Sequence, residues 1–299
     1  MGARPWEIEP FAVIDGGLST ALELLGHRVG GLLWTAELLI AAPDEITRAH
    51  RTFVDAGADV IISASYQASV DGFVRAGCTP AQARQVLAST TEVARRAGAR
   101  VVASSLGPFG ATLGDGSEYH GRYTASWDEV RAFHRERLSV LADTGPDLFA
   151  IETIPSLIEA EIVVEELAGA CSTPAWVSFS CGDAAHTCAG DAIADAVTAV
   201  GESAQVVAVG VNCTDPVHVG ALLRAAARRT DRPLVAYPNH GRAWDAAGEC
   251  WVGDSDDHLA ASVAGWRDAG ARLIGGCCGI GPDGVRAIVR ERAALTSGA

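Results

Sequence analysis

Eight short apolar runs recur along the chain, each followed by a stretch of helical character. They are FAVI (11–14), DVIISA (59–64), RVVASS (100–105), LFAIE (148–152), WVSFS (176–180), VVAVGV (206–211), PLVAY (233–237) and RLIGG (272–276). Their apolar residues are consecutive rather than alternate, as a parallel strand requires when both faces of its sheet are covered. The intervening segments PDEITRAHRTFVDAG (43–57) and PAQARQVLASTTEVARRAG (80–98) carry apolar residues at helical spacing, open on proline and close on glycine. Eight strand–helix units predict an α/β fold, a single-domain (β/α)8 TIM-type barrel over residues 1–299. The competing open, doubly wound sheet would need a GxGxxG turn after its first strand. DGGLSTALELLG (15–26) is glycine-rich but has the wrong spacing.

Composition narrows the function. Hydrophobic residues are 48% of the chain and charged residues 20%, enough apolar surface to exclude disorder. The formal net charge of −14 argues against a nucleic-acid partner and for small-molecule substrates, cationic or zwitterionic ones fitting best. No run approaches the ~18–20 apolar residues of a membrane span, and the first residues show no apolar signal core. The expected setting is cytoplasmic, without membrane contact. There the eight cysteines are read as reduced thiols, with metal or catalytic roles ahead of disulfides.

In a barrel of this kind, chemistry collects at the carboxyl ends of the strands. Asp15, Ser63, Ser65, Tyr66, Glu152, Cys213, Asn239, Cys277 and Cys278 all fall there. Cys277 and Cys278 are adjacent, and Cα atoms ~3.8 Å apart are too close for ordinary disulfide geometry. In an extended strand their side chains would face opposite ways; Gly275, Gly276 and Gly279 give the backbone freedom to turn both thiols to one side. Cys213 lies far away in sequence, but the barrel brings the ends of strands six and eight within reach. Three thiolates and one open position describe a catalytic Zn2+ site. Blander readings exist. A lone cysteine at a strand end is usually a small buried hydrophobe, Asp15 before two glycines could be a cap, and Cys78, Cys171, Cys181, Cys188 and Cys250 are read as structural or surface thiols. Cys181, His186 and Cys188 could imitate a metal cluster on a loop. The stretch 106–125 is a long loop after strand three, of the sort that often serves binding.

Eight motifs, in order, resemble those of the homocysteine S-methyltransferase family: DGGLSTALE, LLWTAELL, AGADVIISASYQAS, SLGPFGATLGDGSEYHGRY, IETIPSLIEAE, GVNCTDP, YPNHG and GGCCGIGPDGVRAI. The likeness runs from about residue 11 to about 290, and is greatest to compact stand-alone members that use S-methylmethionine or S-adenosylmethionine. The resemblance implies that Cys213, Cys277 and Cys278 bind zinc, through which they serve catalysis. It implies that Asp15 and Glu152 hold the α-amino group of homocysteine, with Ser63, Ser65, Tyr66 and Asn239 around the same pocket. The chain departs from the family pattern at His240 and Ser19. The expected reaction moves a methyl group from a sulfonium donor to homocysteine, giving methionine. Trp34, Phe109, Tyr119 and Tyr123 are candidate aromatic contacts for the donor. Two alternatives share the three cysteines: a methyltransferase for another thiol or selenol, and a non-catalytic zinc-binding or thiol-sensing barrel. The second has no need of Asp15 and Glu152.

Overall fold

The computed structural model describes residues 7–28, 36–241, 243–245, 250–252 and 259–297. Among the described residues there are ten strands: β1 (Ala12–Val13), β2 (Val60–Ile62), β3 (Val101–Leu106), β4 (Leu148–Ile154), β5 (Ala175–Phe179), β6 (Val206–Asn212), β7 (Leu234–Tyr237), β8 (Ala243–Asp245), β9 (Cys250–Val252) and β10 (Ala271–Ile274). The helices are α1 (Leu18–Leu24), α2 (Ala36–Ala41), α3 (Pro43–Ala56), α4 (Val70–Arg75), α5 (Pro80–Arg96), α6 (Trp127–Leu141), α7 (Leu157–Ala170), α8 (Ile193–Gly201), α9 (Pro216–Ala227), α10 (Leu259–Asp268) and α11 (Pro282–Ser297).

Eight strands form one parallel sheet in the order β1-β10-β7-β6-β5-β4-β3-β2. A parallel bridge between Ile14 and Val60 joins its two ends, with Asp15 N donating to Val60 O at 3.0 Å. The sheet is thus a (β/α)8 barrel, and each of the eight runs read from the sequence falls on one of its strands. The pair β8–β9 is an antiparallel addition after the seventh barrel strand, and no apolar run announced it. No helix among the described residues is long and apolar enough to cross a membrane.

Helix boundaries follow local chemistry. Thr79 and Ser126 each close a capping box, with Gln82 and Glu129 respectively, and α3 opens on Pro43 and ends at Gly57 with φ 98°. The core has two layers. Alternate strand residues such as Val13, Val102, Phe149 and Val177 pack outward against the helices. Ile14, Val101, Ala103, Leu148, Ala150 and Trp176 pack against one another inside the barrel. Side chains alternate along a strand, so the inward parity continues upward to Ser105, Glu152, Ser178, Asn212 and Tyr237. At the carboxyl ends, the barrel's interior therefore changes from apolar to polar.

Candidate active site

The three cysteines converge. Their sulfurs all lie within 4.8 Å of one another, and among the described residues they are the one grouping of three metal-type ligands so close. Cys213 Sγ is 3.6 Å from Cys278 Sγ, which is 4.0 Å from Cys277 Sγ. After β10 the backbone leaves the extended form. Cys277 N donates to Pro238 O at 2.8 Å and Ile280 N to Cys277 O at 3.0 Å, closing a turn. Gly279 has φ 79°, which disfavours any side chain, and a Cβ on Gly276 would meet Ile280 Cγ2 at 2.3 Å. That turn presents neighbouring thiols to one place. From the other side, Cys213 stands at φ 45° with its N–H bonded to Tyr237 O. Hydrogen bonds from Cys213 and Cys277 pull the Cys278 thiol well below its ordinary pKa. The same contacts, with burial, push the Cys213 and Cys277 thiols up.

Two buried carboxylates stand at the same end of the barrel, with Cys213 an electrostatic neighbour of Glu152. Asp15 is 2% exposed; its Oδ2 accepts from Ile62 N at 3.0 Å, while Oδ1 is buried with no partner. Burial pushes the Asp15 carboxyl well above the usual range, against the Ile62 hydrogen bond, and the nearby Glu152 adds to the rise. Glu152 is 6% exposed and accepts from Ser105 Oγ at 2.5 Å. Burial raises it to about 7, although hydrogen bonds from Ser105 and Tyr237 oppose the shift. Two buried acids side by side, one with an orphaned oxygen, make a receptor for a cation: each unsatisfied acceptor costs ~1–3 kcal/mol until something donates to it.

A polar layer lies below Glu152 and reaches it through Tyr237. Asn212 Oδ1 accepts from Thr153 N at 2.7 Å and from Ser178 Oγ at 2.8 Å, while its Nδ2 donates to Thr153 Oγ1 at 2.7 Å. Thr153, at φ 58°, is a β-branched residue in the left-handed region, a conformation that costs ~1–2 kcal/mol and that Asn212 secures. Ser178 Oγ and Trp176 Nε1 lie 2.7 and 2.9 Å from the Tyr237 hydroxyl.

Ser63 and Ser65 lie behind Glu152. Their hydroxyls are 2.8 Å apart, Ser65 Oγ donates to Ser105 O, and Ser63 Oγ accepts from Ser105 N at 3.2 Å. Tyr66 shares a hydrogen bond with the Thr153 side chain, and its ring lies against Gly107. Its carbonyl, with those of Ser65 and Gly107, accepts from the buried Arg137 guanidinium. Asn239 accepts from Gly241 N at 2.9 Å, closing the turn after β7.

The loop after β3 folds over the mouth as two 3-10 turns, Phe109–Thr112 and Ser117–Tyr119. Glu159 in the first turn of α7, fully buried, clasps it: Oε1 accepts from Phe109 N at 2.6 Å and lies 3.0 Å from His134 Nε2, and Oε2 accepts from the Tyr123 hydroxyl at 2.7 Å. Phe109 and Tyr123 pack edge to face, and Phe109 likewise meets Phe133. Tyr119 differs, its hydroxyl lying 3.7 Å from Cys213 Sγ. Glu118, beside it, is raised to about 7 by burial, and Cys213 and Asp115 add to the rise. Trp34 lies outside the described residues, as does the Cys250 side chain. Cys181, Cys188 and His186 do not gather as a three-ligand cluster; His186 pairs with Asp183 at 3.0 Å.

Residue-by-residue reading of the sequence missed Ser105, Glu118, Thr153, Ser178, Asn212 and Tyr237. Parity along β3, β5, β6 and β7 was the available signal for all but Glu118 and Thr153, since a polar residue at an inward position must find partners.

Comparison with known proteins follows the same ground. A family model described as homocysteine S-methyltransferase matches residues 12–292. The chain is 37% identical to homocysteine S-methyltransferase YbgG of Bacillus subtilis, over 93% of each chain. It is 42% identical to homocysteine S-methyltransferase 4 of Zea mays, over 93% of this chain and 88% of that one. Among solved structures, it superposes on the metallated form of the homocysteine methyltransferase MmuM from Escherichia coli with a TM-score of 0.84. Identity there is 37%, over 94% of this chain and 96% of that one. That relative is also known in oxidized and apo forms.

Proposed function

The chain belongs to the homocysteine S-methyltransferase family, and from that premise we propose that it takes the methyl group from a sulfonium donor, S-methylmethionine or S-adenosylmethionine, at a zinc site. It is an enzyme that methylates homocysteine to give methionine. The observation that carries the finer reading is the presence of three gathered sulfurs together with Asp15 Oδ1, a buried carboxylate oxygen that nothing among the described residues satisfies.

The donor set suits the metal: three soft thiols gathered within 4.8 Å are zinc-type ligands, and three protein ligands leave a position for substrate. Cys213, Cys277 and Cys278 would hold the ion, and bound there it would supply the acidity that keeps the homocysteine sulfur a thiolate at neutral pH.

The rest is positioning by the chain. Asp15 and Glu152 accept hydrogen bonds from the ammonium of homocysteine, removing the cost of two crowded buried carboxyls and fixing the amino end. Ser105, Tyr237, Ser63 and Ser65 brace Glu152. Tyr66 and Asn239 border the pocket, and the Tyr119 hydroxyl supports the Cys213 sulfur. Attack on a sulfonium methyl needs alignment rather than acid–base help, so a site without a general base at its centre is complete. The loop clasped by Glu159 covers the mouth and limits water beside the sulfurs.

Methionine formation from homocysteine with each donor tests this, measured on protein as purified, after chelation and after zinc is restored. Activity that falls with chelation and returns with zinc is expected; full turnover in metal-free protein would overturn the zinc assignment.

A further inference from the structure

The acids Asp15 and Glu152 account for the ammonium of homocysteine, but a third, half-buried carboxylate at the mouth has no part in that scheme. We propose that Glu118 binds the positive charge of the methyl donor, a role that rests on the sulfonium reading above. Asp15 and Glu152 come from β1 and β4 and act on each other. Glu118 comes from the β3 loop, and the ionisable groups acting on it are Cys213 and Asp115, not the acceptor acids. Cys213 and Cys278 each have both Glu152 and Glu118 as electrostatic neighbours. The same sulfurs thus have an acid from β4 and an acid from the β3 loop as neighbours.

Glu118 Oε2 is sealed from solvent and accepts no hydrogen bond. No arginine pairs with Glu118 among the described residues, and the chain has no lysine. A carboxylate kept beside thiols, without a cationic partner among the described residues, is suited to a cation brought by a ligand. Tyr66 and Tyr119 are electrostatic neighbours of Glu118, and aromatic faces also attract a sulfonium. The backbone holds Glu118 firmly: a Cβ on Gly110 would lie 2.6 Å from Glu118 N, and Ser180 Oγ donates to Glu118 O at 3.4 Å.

The chemistry gives this carboxylate a directional use. The acceptor thiolate supplies the electron pair of the new carbon–sulfur bond. The old bond breaks with its pair going to the donor sulfur, and the sulfonium becomes a neutral thioether. The charge that Glu118 attracts is therefore present in the substrate, weaker in the transition state and gone in the product. Such a contact tightens donor binding and eases release of the spent donor, without accelerating the chemical step.

The test is steady-state kinetics of Glu118→Gln with S-methylmethionine and with S-adenosylmethionine, alongside zinc content and the homocysteine KM. Loss of one charge-assisted contact is expected to raise the donor KM about tenfold or more. The expected kcat holds or rises, homocysteine KM and zinc per chain stay within about twofold of wild type, and the donor KM of Glu118→Asp falls between. An unchanged donor KM would overturn the proposal. So would lost zinc, which would make Glu118 a support of the metal site, or an equal rise in both KM values, which would make it a general structural residue. Absence of transfer from either sulfonium by the zinc-loaded wild type would instead overturn the donor reading itself. Wild-type turnover with an unaffected variant overturns only the role of Glu118.

Discussion

Replacing Asn212 with alanine tests how the barrel aims its acids. Asn212 is fully buried and makes three short hydrogen bonds, one from Thr153 N, one to Thr153 Oγ1 and one from Ser178 Oγ. The Ser178 hydroxyl keeps Tyr237 as a neighbour and the Thr153 hydroxyl keeps Tyr66, so those two losses cost ~0.5–1.5 kcal/mol each. The Thr153 N–H is left orphaned, at ~1–3 kcal/mol. The sum is about 4 kcal/mol. At ~2.1 cal/mol/K per residue, a chain of 299 residues has an unfolding entropy of about 0.6 kcal/mol/K, so the melting temperature should fall by about 6 °C. Function should change in parallel, because Thr153 then has less reason to hold φ 58° and Glu152 precedes it directly. The homocysteine KM is expected to rise well beyond the donor KM. Thermal melts and acceptor titrations at saturating donor read both effects. A melting shift under about 2 °C with an unchanged homocysteine KM would refute the view that Asn212 secures the strained turn.

Cys213→Ala, Cys277→Ala and Cys278→Ala should each lose most bound metal and nearly all turnover, as metal analysis and methionine assays will show; an active, metal-free variant would contradict the cluster's role. Glu152→Gln should retain metal but weaken homocysteine binding about tenfold or more, the loss of one charged hydrogen bond. In wild type the homocysteine KM should climb as pH falls through about 7, where Glu152 takes up its proton, and the variant should flatten that limb. His50 sits fully buried in α3, where burial depresses its pKa from 6.5 to about 4. The neutral ring is favoured in the folded state, so this stability is complete above about pH 6.5 and lost as pH falls towards 4. It amounts to about 3 kcal/mol at ~1.36 kcal/mol per unit. Urea midpoints between pH 7.5 and 4.5 should show a smaller acid loss in His50→Leu, and equal slopes would disprove the assignment.

The barrel was legible because its strands are buried on both sides and so read as unbroken apolar runs: β4 and β6 are buried at all seven positions. The cysteines were legible because paired thiols after glycines are chemically conspicuous. Asp15 was ambiguous in the sequence, since an aspartate before two glycines also suits a cap; only the barrel's closure against β2 shows Oδ2 on Ile62 N and Oδ1 left over. Thr153 gave no warning of φ 58°, because β-branched residues avoid that region and its cause, Asn212, lies on another strand. Glu118 was hidden among the polar residues of a long loop, where sequence does not reveal burial. The pair β8–β9 stayed unread because each strand has only three residues.

The most direct measurement is mass spectrometry of methionine formed when the zinc-loaded protein is given L-homocysteine and S-methylmethionine deuterated on its methyl groups. Methionine carrying one intact labelled methyl group, formed by wild type and absent with Cys277→Ala, is the predicted result. Unlabelled methionine, or label transferred equally well by Cys277→Ala without metal, would contradict methyl transfer at the three-cysteine centre.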